Sequence, residues 1–185
     1  MRLPRTRFAP TGALAAGLLA VASPAAASDK DWDKASDVGA IALTAWSIGV
    51  PAVTGDGNGA LQAAGSIGAS YAVATGLKEI FPERRPDGSD NRSFPSGHTS
   101  ASFGAAASIF ERRGAGEGIP AFALATFVGV ARVKADKHHW YDVLAGAAIG
   151  TGSGLLLTHP LADKRIAVVP WVDSSGGGAS VAMAF

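Results

Sequence analysis

Cysteine is absent from this 185-residue chain, and charged side chains make up only 17% of it. Without cysteine, neither a disulfide framework nor a thiolate metal site can form. The low charge content, beside 48% hydrophobic residues, excludes a largely disordered chain. An excess of basic residues, which nucleic-acid-binding domains usually show, is also missing, because 16 Lys+Arg nearly cancel 15 Asp+Glu. The length suits one compact domain, since domains hold about 100–200 residues.

The N-terminal residues have the pattern of a secretory signal peptide. Three arginines within the first seven residues precede an uncharged stretch, 11–23, and Ala25-Ala26-Ala27 then forms an Ala-x-Ala cleavage pattern before Ser28. The alternative is an uncleaved anchor helix, but the apolar stretch is shorter than the roughly 20 residues that span a bilayer. We therefore predict that residues 1–27 are removed and that the protein is exported, most simply to a bacterial periplasm.

Uncharged runs separated by polar islands predict a bundle of about five helices, with runs at 38–55, 57–77, 99–110, 120–131 and 143–162. Residues 28–37 read as a polar lead-in, 78–92 as a loop and 111–117 as a break, with Pro120 suited to a first helical turn. Two runs, 57–77 and 143–162, reach bilayer length, and this favours a membrane bundle. The mean hydropathy of only +0.21 leaves a soluble bundle open.

The C-terminal residues differ from the rest of the chain. Residues 166–172 are β-branched and aromatic, 174–178 carry a turn signal, and 180–185 alternate weakly. This pattern predicts a short β-hairpin at 166–185, after a helical domain at 28–165. The fold class we expect is therefore all-α, a helical bundle with the site at one end, plus this hairpin.

Three cations stand beside apolar segments in the polar islands, namely Lys78, Arg85 and Arg132. Buried cations need a counter-charge, and the nearby acids are not obviously enough to pair all three. We therefore expect an external anion as their partner. Arg suits the forked geometry of a phosphate, and Lys adds a point charge.

The second island, Pro95-Ser96-Gly97-His98, immediately precedes a predicted helix. The backbone N–H groups of Ser96 and Gly97 are then expected to point at an anion, supported by the helix dipole. Gly97 allows close approach of that backbone. Together with the cations, these groups predict a pocket for a phosphoryl group.

The third island supplies a nucleophile. His138 and Asp142 are four residues apart, so on a helix they share a face, and Asp142 can accept from Nδ1 of His138. Nε2 of His138 is then free to attack phosphorus, as in the orienting logic of a catalytic triad. His98 is placed to protonate the leaving oxygen. Water then hydrolyses the phospho-histidine, and this chemistry needs no metal.

The three islands, in this order, resemble the signature of the type 2 phosphatidic acid phosphatase superfamily, which includes class A acid phosphatases and vanadium haloperoxidases. The family pattern is Lys-x6-Arg-Pro, Pro-Ser-Gly-His and Ser-Arg-x5-His-x3-Asp, and this chain has KEIFPERRP, SFPSGHTS and ARVKADKHHWYDVLAG. The stretch KHHWYDVLAG is especially similar to the lipid phosphate phosphatase branch. The match spans 78–146, less than half of the chain, and departs from the pattern at Ala131, where the family has Ser.

The resemblance implies a role for each matching residue. His138 is the nucleophile, His98 the acid and Asp142 the partner of His138. The phosphate-binding residues are Lys78, Arg85, Ser96, Gly97 and Arg132. No cofactor or metal is implied, and vanadate is expected to inhibit because it mimics the trigonal-bipyramidal phosphoryl centre.

The leading functional hypothesis is a phosphatase of a lipid phosphate or lipid pyrophosphate, at the periplasmic face of the inner membrane. A soluble periplasmic acid phosphatase of broad specificity is the second, motivated by the modest hydropathy. A vanadium haloperoxidase has the same pocket but generally a much longer chain. A non-catalytic membrane protein that only binds a phosphate head group is disfavoured by the intact histidines and Asp142. The oligomeric state cannot be read from the sequence.

Overall fold

The computed structural model describes residues 27–161 in full, and the backbone of 166–173 and 176–183. Apart from Ala27, the predicted signal peptide lies outside the described residues, so its removal stays a prediction. The described helices are α1 (Asp29–Thr44), a π-helical turn (Ala45–Gly49), α2 (Val50–Val53), α3 (Gly57–Ile80), α4 (Gly97–Arg113), α5 (Ala115–Lys134) and α6 (Trp140–Leu157). Since α1, the π-helical turn and α2 follow one another without a break, the bundle has the five long helical stretches predicted.

The first helix begins well before the apolar run that predicted it. Ser28 is its N-cap, because the Ser28 hydroxyl accepts from the backbone N–H of Asp31 and the Asp31 carboxylate accepts from the backbone N–H of Ser28. Asp29 and Asp31 also place negative charge at the helix N-terminus, which the helix dipole favours. The expected polar lead-in at 28–37 is therefore wrong, and these residues form the first turns of α1.

The boundary between α4 and α5 is tighter than predicted. Gly114 alone separates the two helices, with a φ of 80° that a glycine adopts without strain. The expected break at 111–117 therefore shrinks to one residue. Pro120 is the sixth residue of α5 and not in its first turn, because the helix begins five residues before it.

Helix α4 lies at the centre of the bundle and contacts α1, α3, α5 and α6. The core around it is built largely from small side chains, with few large ones. Its buried members are Leu43, Ala105, Ala106, Ile109, Ala121, Ala125 and Val128, and Phe103 and Phe122 pack against them. Small residues allow the helices to pack closely, and the polar residues at the helix ends are thereby held in one place.

The contact between α4 and α6 has almost no side-chain layer. A Cβ atom added to Gly150 would lie 2.2 Å from the backbone oxygen of Ser100, and one added to Gly154 would lie 2.4 Å from Cβ of Ala107. The two backbones therefore approach each other directly. At the N-terminal ends of these helices, the backbone N–H of Ser96 donates to the carbonyl oxygen of Asp142 over 3.0 Å. The second and third sequence islands are thus joined by a hydrogen bond.

The C-terminal residues form two backbone strands, β1 (Ile166–Asp173) and β2 (Gly176–Met183), paired antiparallel with Ile166 opposite Met183. Their side chains lie outside the described residues, and nothing in the helical bundle supports the hairpin as part of the fold. The fold established here is the all-α bundle. The hairpin at 166–185 stays a prediction.

Two helical stretches are long and apolar enough to cross a membrane, Asp29–Val53 with a mean hydropathy of 1.3 and Ala115–Lys134 with 1.2. They are not the runs at 57–77 and 143–162 that the sequence singled out. The difference arises because α1 continues through the π-helical turn into α2, and α5 is longer than its uncharged run. Two such helices are weak evidence, since core helices and signal sequences pass the same test.

Candidate active site

The predicted site residues come from helix ends and loops at one end of the bundle. Lys78 lies in the last turn of α3 and Arg132 in the last turn of α5. The others lie at the starts of α4 and α6 or in the loops before them, and comprise Arg85, Ser96, Gly97, His98, His138 and Asp142. The predicted placement of the site at one end is therefore what the structure has.

His138 is buried, with 2% of its side chain exposed, and its Nε2 atom lies 3.5 Å from NH1 of Arg85. The spacing of His138 and Asp142 suggested that they share a helix. They do not, because α6 begins only at Trp140. The loop nevertheless brings Nδ1 of His138 to 3.6 Å from Oδ2 of Asp142. That distance is just beyond a hydrogen bond, and Nδ1 of His138 has no hydrogen-bond partner among the described residues.

Asp142 is the third residue of α6 and is fully buried. Its Oδ2 atom accepts from the Ser93 hydroxyl at 2.5 Å and from the backbone N–H of His139 at 2.8 Å, while Oδ1 has no partner among the described residues. Burial opposes the charge of this carboxylate, but these hydrogen bonds and the nearby His138 outweigh it and lower the pKa of Asp142 to about 2. Asp142 is therefore ionised and can orient an imidazole.

The environment of His138 favours the neutral ring. Burial lowers the pKa of His138 to about 4, the positive charges of Arg85, Arg132 and Lys78 act in the same direction, and Asp142 opposes them. At neutral pH the ring is therefore uncharged, as a nucleophilic imidazole must be.

The two arginines have internal partners in this structure. Nε of Arg85 donates to Asp90 at 2.7 Å, and NH1 donates to the carbonyl oxygen of Lys137 at 3.2 Å. NH1 of Arg132 donates to Asp33 and to the Ser36 hydroxyl. For these two arginines, the expectation that nearby acids would not pair them is therefore corrected, because α1 and the 81–96 loop supply acids.

Lys78 is bound to backbone oxygens. Its ammonium group donates to the carbonyls of Arg92 at 2.7 Å, Ser93 at 3.0 Å and Pro95 at 2.5 Å. These three contacts occupy the three hydrogens of the ammonium group. Burial, with a contribution from Arg85, lowers the pKa of Lys78 to about 8. Lys78 thus holds the loop before α4 in place, and its role as a phosphate ligand stays a prediction.

The start of α4 is a capped helix N-terminus. The Ser96 hydroxyl accepts from the backbone N–H of Thr99 at 3.4 Å and from its hydroxyl at 2.9 Å. Because the backbone N–H of Ser96 donates to Asp142, it does not point at a pocket, contrary to expectation. The first N–H groups inside a helix lack intrahelical acceptors, so those of Gly97 and His98 are the ones suited to an anion.

His98 is paired with a residue that the sequence analysis did not select. Its Nε2 atom lies 3.0 Å from Oδ1 of Asp37 on α1. Asp33, Ser36 and Asp37 share one face of that helix and all contact Arg132 or His98. The i, i+3, i+4 spacing of these three residues was the only feature of the sequence that indicated their common helix face. It was missed because residues 28–37 were interpreted as a polar lead-in and not as a helix. The family pattern has Ser before the arginine of the third motif, where this chain has Ala131. In this structure the hydroxyl of Ser36, on α1, contacts Arg132.

Among the described residues, one group of side chains could hold a metal ion. Ligand atoms of Glu83, His139 and Asp142 lie within 4.8 Å of one another. Both carboxylates of this group already accept hydrogen bonds, Glu83 from the Tyr141 hydroxyl and Asp142 from the Ser93 hydroxyl.

Residues 59–166, more than half of the chain, match the PAP2 superfamily model. The chain belongs to the PAP2 superfamily. This confirms the resemblance to the type 2 phosphatidic acid phosphatase family. It also means that α1, with Asp33 and Asp37, lies outside the matched residues.

Three curated relatives support this assignment. The chain is 38% identical over 77 residues to a lipid A 1-phosphatase of Porphyromonas gingivalis, covering 40% of this chain and 17% of that protein. It is 33% identical over 119 residues to a lipid A 4'-phosphatase of Helicobacter pylori, covering 58% and 60%. It is 36% identical over 92 residues to lipid phosphate phosphatase 2 of Arabidopsis thaliana, covering 42% and 30%. The chain therefore matches less than two thirds of each relative's length.

A solved structure shares the fold. The crystal structure of LpxE from Aquifex aeolicus superposes with a TM-score of 0.61, covering 74% of this chain and 87% of that one, at 21% identity. This likeness confirms the helical bundle.

Proposed function

We propose that this protein is a membrane-associated phosphohydrolase that removes phosphate from a lipid phosphate or lipid pyrophosphate through a phospho-histidine. The observation that carries the proposal is the neutral, buried His138 between Arg85 and Asp142. A neutral imidazole is nucleophilic, a guanidinium beside it can bind the phosphoryl oxygens, and a carboxylate behind it stabilises the charge that develops on the ring.

The proposed reaction has two steps. Nε2 of His138 forms a bond to phosphorus while the bond to the leaving oxygen breaks, and His98 gives that oxygen a proton. Water then attacks the phospho-histidine, His98 takes a proton from the water, and phosphate leaves as the bond from Nε2 to phosphorus breaks. The guanidinium groups of Arg85 and Arg132, with the N–H groups of Gly97 and His98, stabilise the negative charge on the phosphoryl oxygens. Asp142 stays ionised throughout.

The lipid part of the proposal is supported by a groove beside His98. This groove has a volume of about 670 Å³, and its apolar lining consists of Ala40 and Ile41 of α1 and Ala45 of the π-helical turn, with Asp37 and His98 among its polar lining residues. Apolar walls suit a hydrocarbon chain whose phosphate lies near the histidines. The names of the three curated relatives, each a phosphatase of a lipid phosphate or of lipid A, point to the same substrate class.

The outer surface of the bundle supports membrane association. Large apolar side chains are exposed on several helices, far more than scattered surface residues would give. They include Ile41, Val53, Leu61, Ile80, Ile119, Trp140, Leu144, Leu155 and Leu156. We expect the protein to sediment with membranes after lysis and to be extracted by detergent. Release by osmotic shock alone would favour the soluble acid phosphatase instead.

We also propose that residues 1–27 are a cleaved leader and that the phosphatase domain begins at Ser28. The cleavage pattern ends at the residue before Ser28, which caps α1. The intact mass of the protein purified from membranes tests this. A mass that includes residues 1–27 would show that the leader is retained as an anchor.

The experiment that tests the activity is phosphate release by the purified protein in detergent with EDTA. The substrates are phosphatidate, an isoprenyl pyrophosphate, a lipid A phosphate and p-nitrophenyl phosphate. We expect His138→Ala to abolish release and His159→Ala, an exposed histidine outside the site, to retain it. An acid-labile, alkali-stable phosphoprotein should be trapped with labelled substrate in the wild type only.

Each arm of this experiment has a result that would overturn part of the proposal. Near-full activity of His138→Ala would remove the nucleophile assignment. Loss of activity in EDTA, restored by a divalent metal, would overturn metal independence and point to Glu83, His139 and Asp142. Preference for p-nitrophenyl phosphate over every lipid would favour the soluble acid phosphatase. Release from no substrate, with vanadate-dependent bromide oxidation, would favour a haloperoxidase.

A further inference from the structure

The ion pair between Asp37 and His98 joins α1 to the start of α4. Nε2 of His98 lies 3.0 Å from Oδ1 of Asp37, and the same oxygen lies 4.0 Å from NH1 of Arg132. Asp37 is on α1, outside the residues 59–166 that match the superfamily. The family motif therefore does not account for this contact.

Three charged groups from two neighbouring helices act on the His98 ring. Asp37 and Asp33 of α1 favour its charged form, and Arg132 of α5 disfavours it. Burial is the largest influence and lowers the pKa of His98, Arg132 lowers it further, and the two carboxylates oppose both. Of these carboxylates, Asp33 is bound to Arg132, so Asp37 is the one in direct contact with the ring.

We propose that Asp37 is the positioning residue of His98, because its carboxylate fixes the ring at the mouth of the phosphate site and favours the protonated form that a general acid needs. This inference rests on the proposed function, since it concerns the proton delivered to the leaving oxygen. An acid must carry its proton when the bond to phosphorus breaks, and Asp37 partly offsets the burial and the Arg132 charge that both disfavour the proton on this ring. Asp37 acts only through the ring and takes no part in the proton transfers.

The α1 carboxylates have separable roles. Asp33 compensates the guanidinium of Arg132, while Asp37 compensates the imidazole of His98. Removing Asp33 should therefore change how phosphate is bound, and removing Asp37 should change how the leaving group departs. Asp37 is half exposed, at 51% of its side-chain area, so its replacement by Asn leaves no buried cavity.

The test compares Asp37→Asn with Asp33→Asn and with Asp29→Asn, an exposed acid at the start of the same helix. We expect Asp37→Asn to lower kcat for a lipid phosphate at neutral pH by about 10- to 100-fold, with KM changed less than about 3-fold. The alkaline limb of its kcat profile should move to lower pH. Asp37→Glu should recover part of the loss, and Asp29→Asn should behave as wild type.

Two readouts separate an effect on the acid from general damage. With p-nitrophenyl phosphate, whose leaving group departs without protonation, the loss in Asp37→Asn should be much smaller than with a lipid phosphate. NMR titration of the His98 ring, assigned through His98→Gln, should show a lower pKa in Asp37→Asn than in the wild type. This titration needs no turnover, so it tests the pairing even if the wild type hydrolyses nothing.

The results that would overturn the inference are specific. An unchanged His98 titration in Asp37→Asn would show that the carboxylate does not keep the ring protonated. Equal losses with the lipid phosphate and p-nitrophenyl phosphate would show that Asp37 does not act through the leaving group. Absence of activity from the wild type with a shifted titration would instead reject the proposed function and keep the pairing.

Discussion

Nε2 of His138 lies 3.5 Å from NH1 of Arg85, although 53 residues separate the two in the chain. The proposed nucleophile and a phosphate-binding cation are thus neighbours before any substrate arrives. The contact of Arg85 with the carbonyl oxygen of Lys137 contributes to this, because Lys137 immediately precedes His138. A phosphoryl group attacked by His138 would lie within reach of the guanidinium.

We predict that Arg85→Lys lowers kcat/KM by about 10- to 100-fold, because an ammonium keeps the charge but loses the planar fork that binds two oxygens. Arg84→Lys is the matched control, since Arg84 is exposed. Steady-state kinetics of the two variants with the same lipid phosphate measure the difference. Equal kinetics for both would show that Arg85 does not bind the phosphoryl group.

The pH dependence of stability should report the buried His138. Its pKa is about 4 in the folded chain, below the usual value of 6.5, so the unfolded chain binds the proton more tightly. His138 therefore lowers the free energy of unfolding as pH falls from about 6.5 to 4, with no further change below that. We predict that thermal unfolding of the wild type loses stability over this window relative to His138→Gln. Parallel curves for the two proteins would contradict the prediction.

Ser93 and Ser102 offer a matched pair of buried hydroxyls. Ser93 donates to Asp142, whereas the hydroxyl of Ser102 has no partner among the described residues. We predict that Ser93→Ala lowers kcat about 10-fold and the free energy of unfolding by about 1–3 kcal/mol, because it removes a hydrogen bond to a buried carboxylate. Ser102→Ala should be neutral or stabilising. Kinetics and chemical denaturation of both variants provide the check, and a similar effect of the two would reject the role of Ser93.

Gly150 and Gly152 make a second matched pair, on one helix. Gly150→Ala places a methyl group against the backbone of α4 and should lower the free energy of unfolding by about 1–3 kcal/mol. Gly152→Ala meets nothing within 4 Å and should raise it by up to about 1 kcal/mol through helix propensity. Thermal unfolding in one detergent compares them. A stabilising Gly150→Ala would show that α4 and α6 do not approach as closely as described.

The sequence predicted the helical bundle and the position of the site because both depend on local patterns. Uncharged runs marked the five helical stretches, and the motif spacings placed Arg85, His138 and Asp142 near one another. What could not be predicted depends on contacts distant in the chain. Lys78 reaches the carbonyls of the loop before α4, and Ser93 reaches Asp142, 49 residues away. Nothing in the composition of either segment indicates these partners.

The start of α1 was the largest part of the fold that the sequence did not predict. A charged segment before an apolar run was interpreted as unstructured, but Ser28 and Asp31 form a capping box that starts the helix there. Once 28–37 is helical, Asp33, Ser36 and Asp37 share a face. Arg132, one of the cations that seemed to need an external anion, then has an internal partner in Asp33.

The backbone contact between α4 and α6 has a consequence for how the site admits a bulky substrate. Because glycines of α6 pack directly against α4, these two helices are expected to move together and to keep the separation of Ser96 and Asp142 fixed. On the opposite wall, α1 meets the site through the carboxylates of Asp33 and Asp37, and ion pairs tolerate sliding better than interlocked side chains do. Accommodation of a wide lipid is therefore expected to come from displacement of α1, while the reacting groups stay where they are.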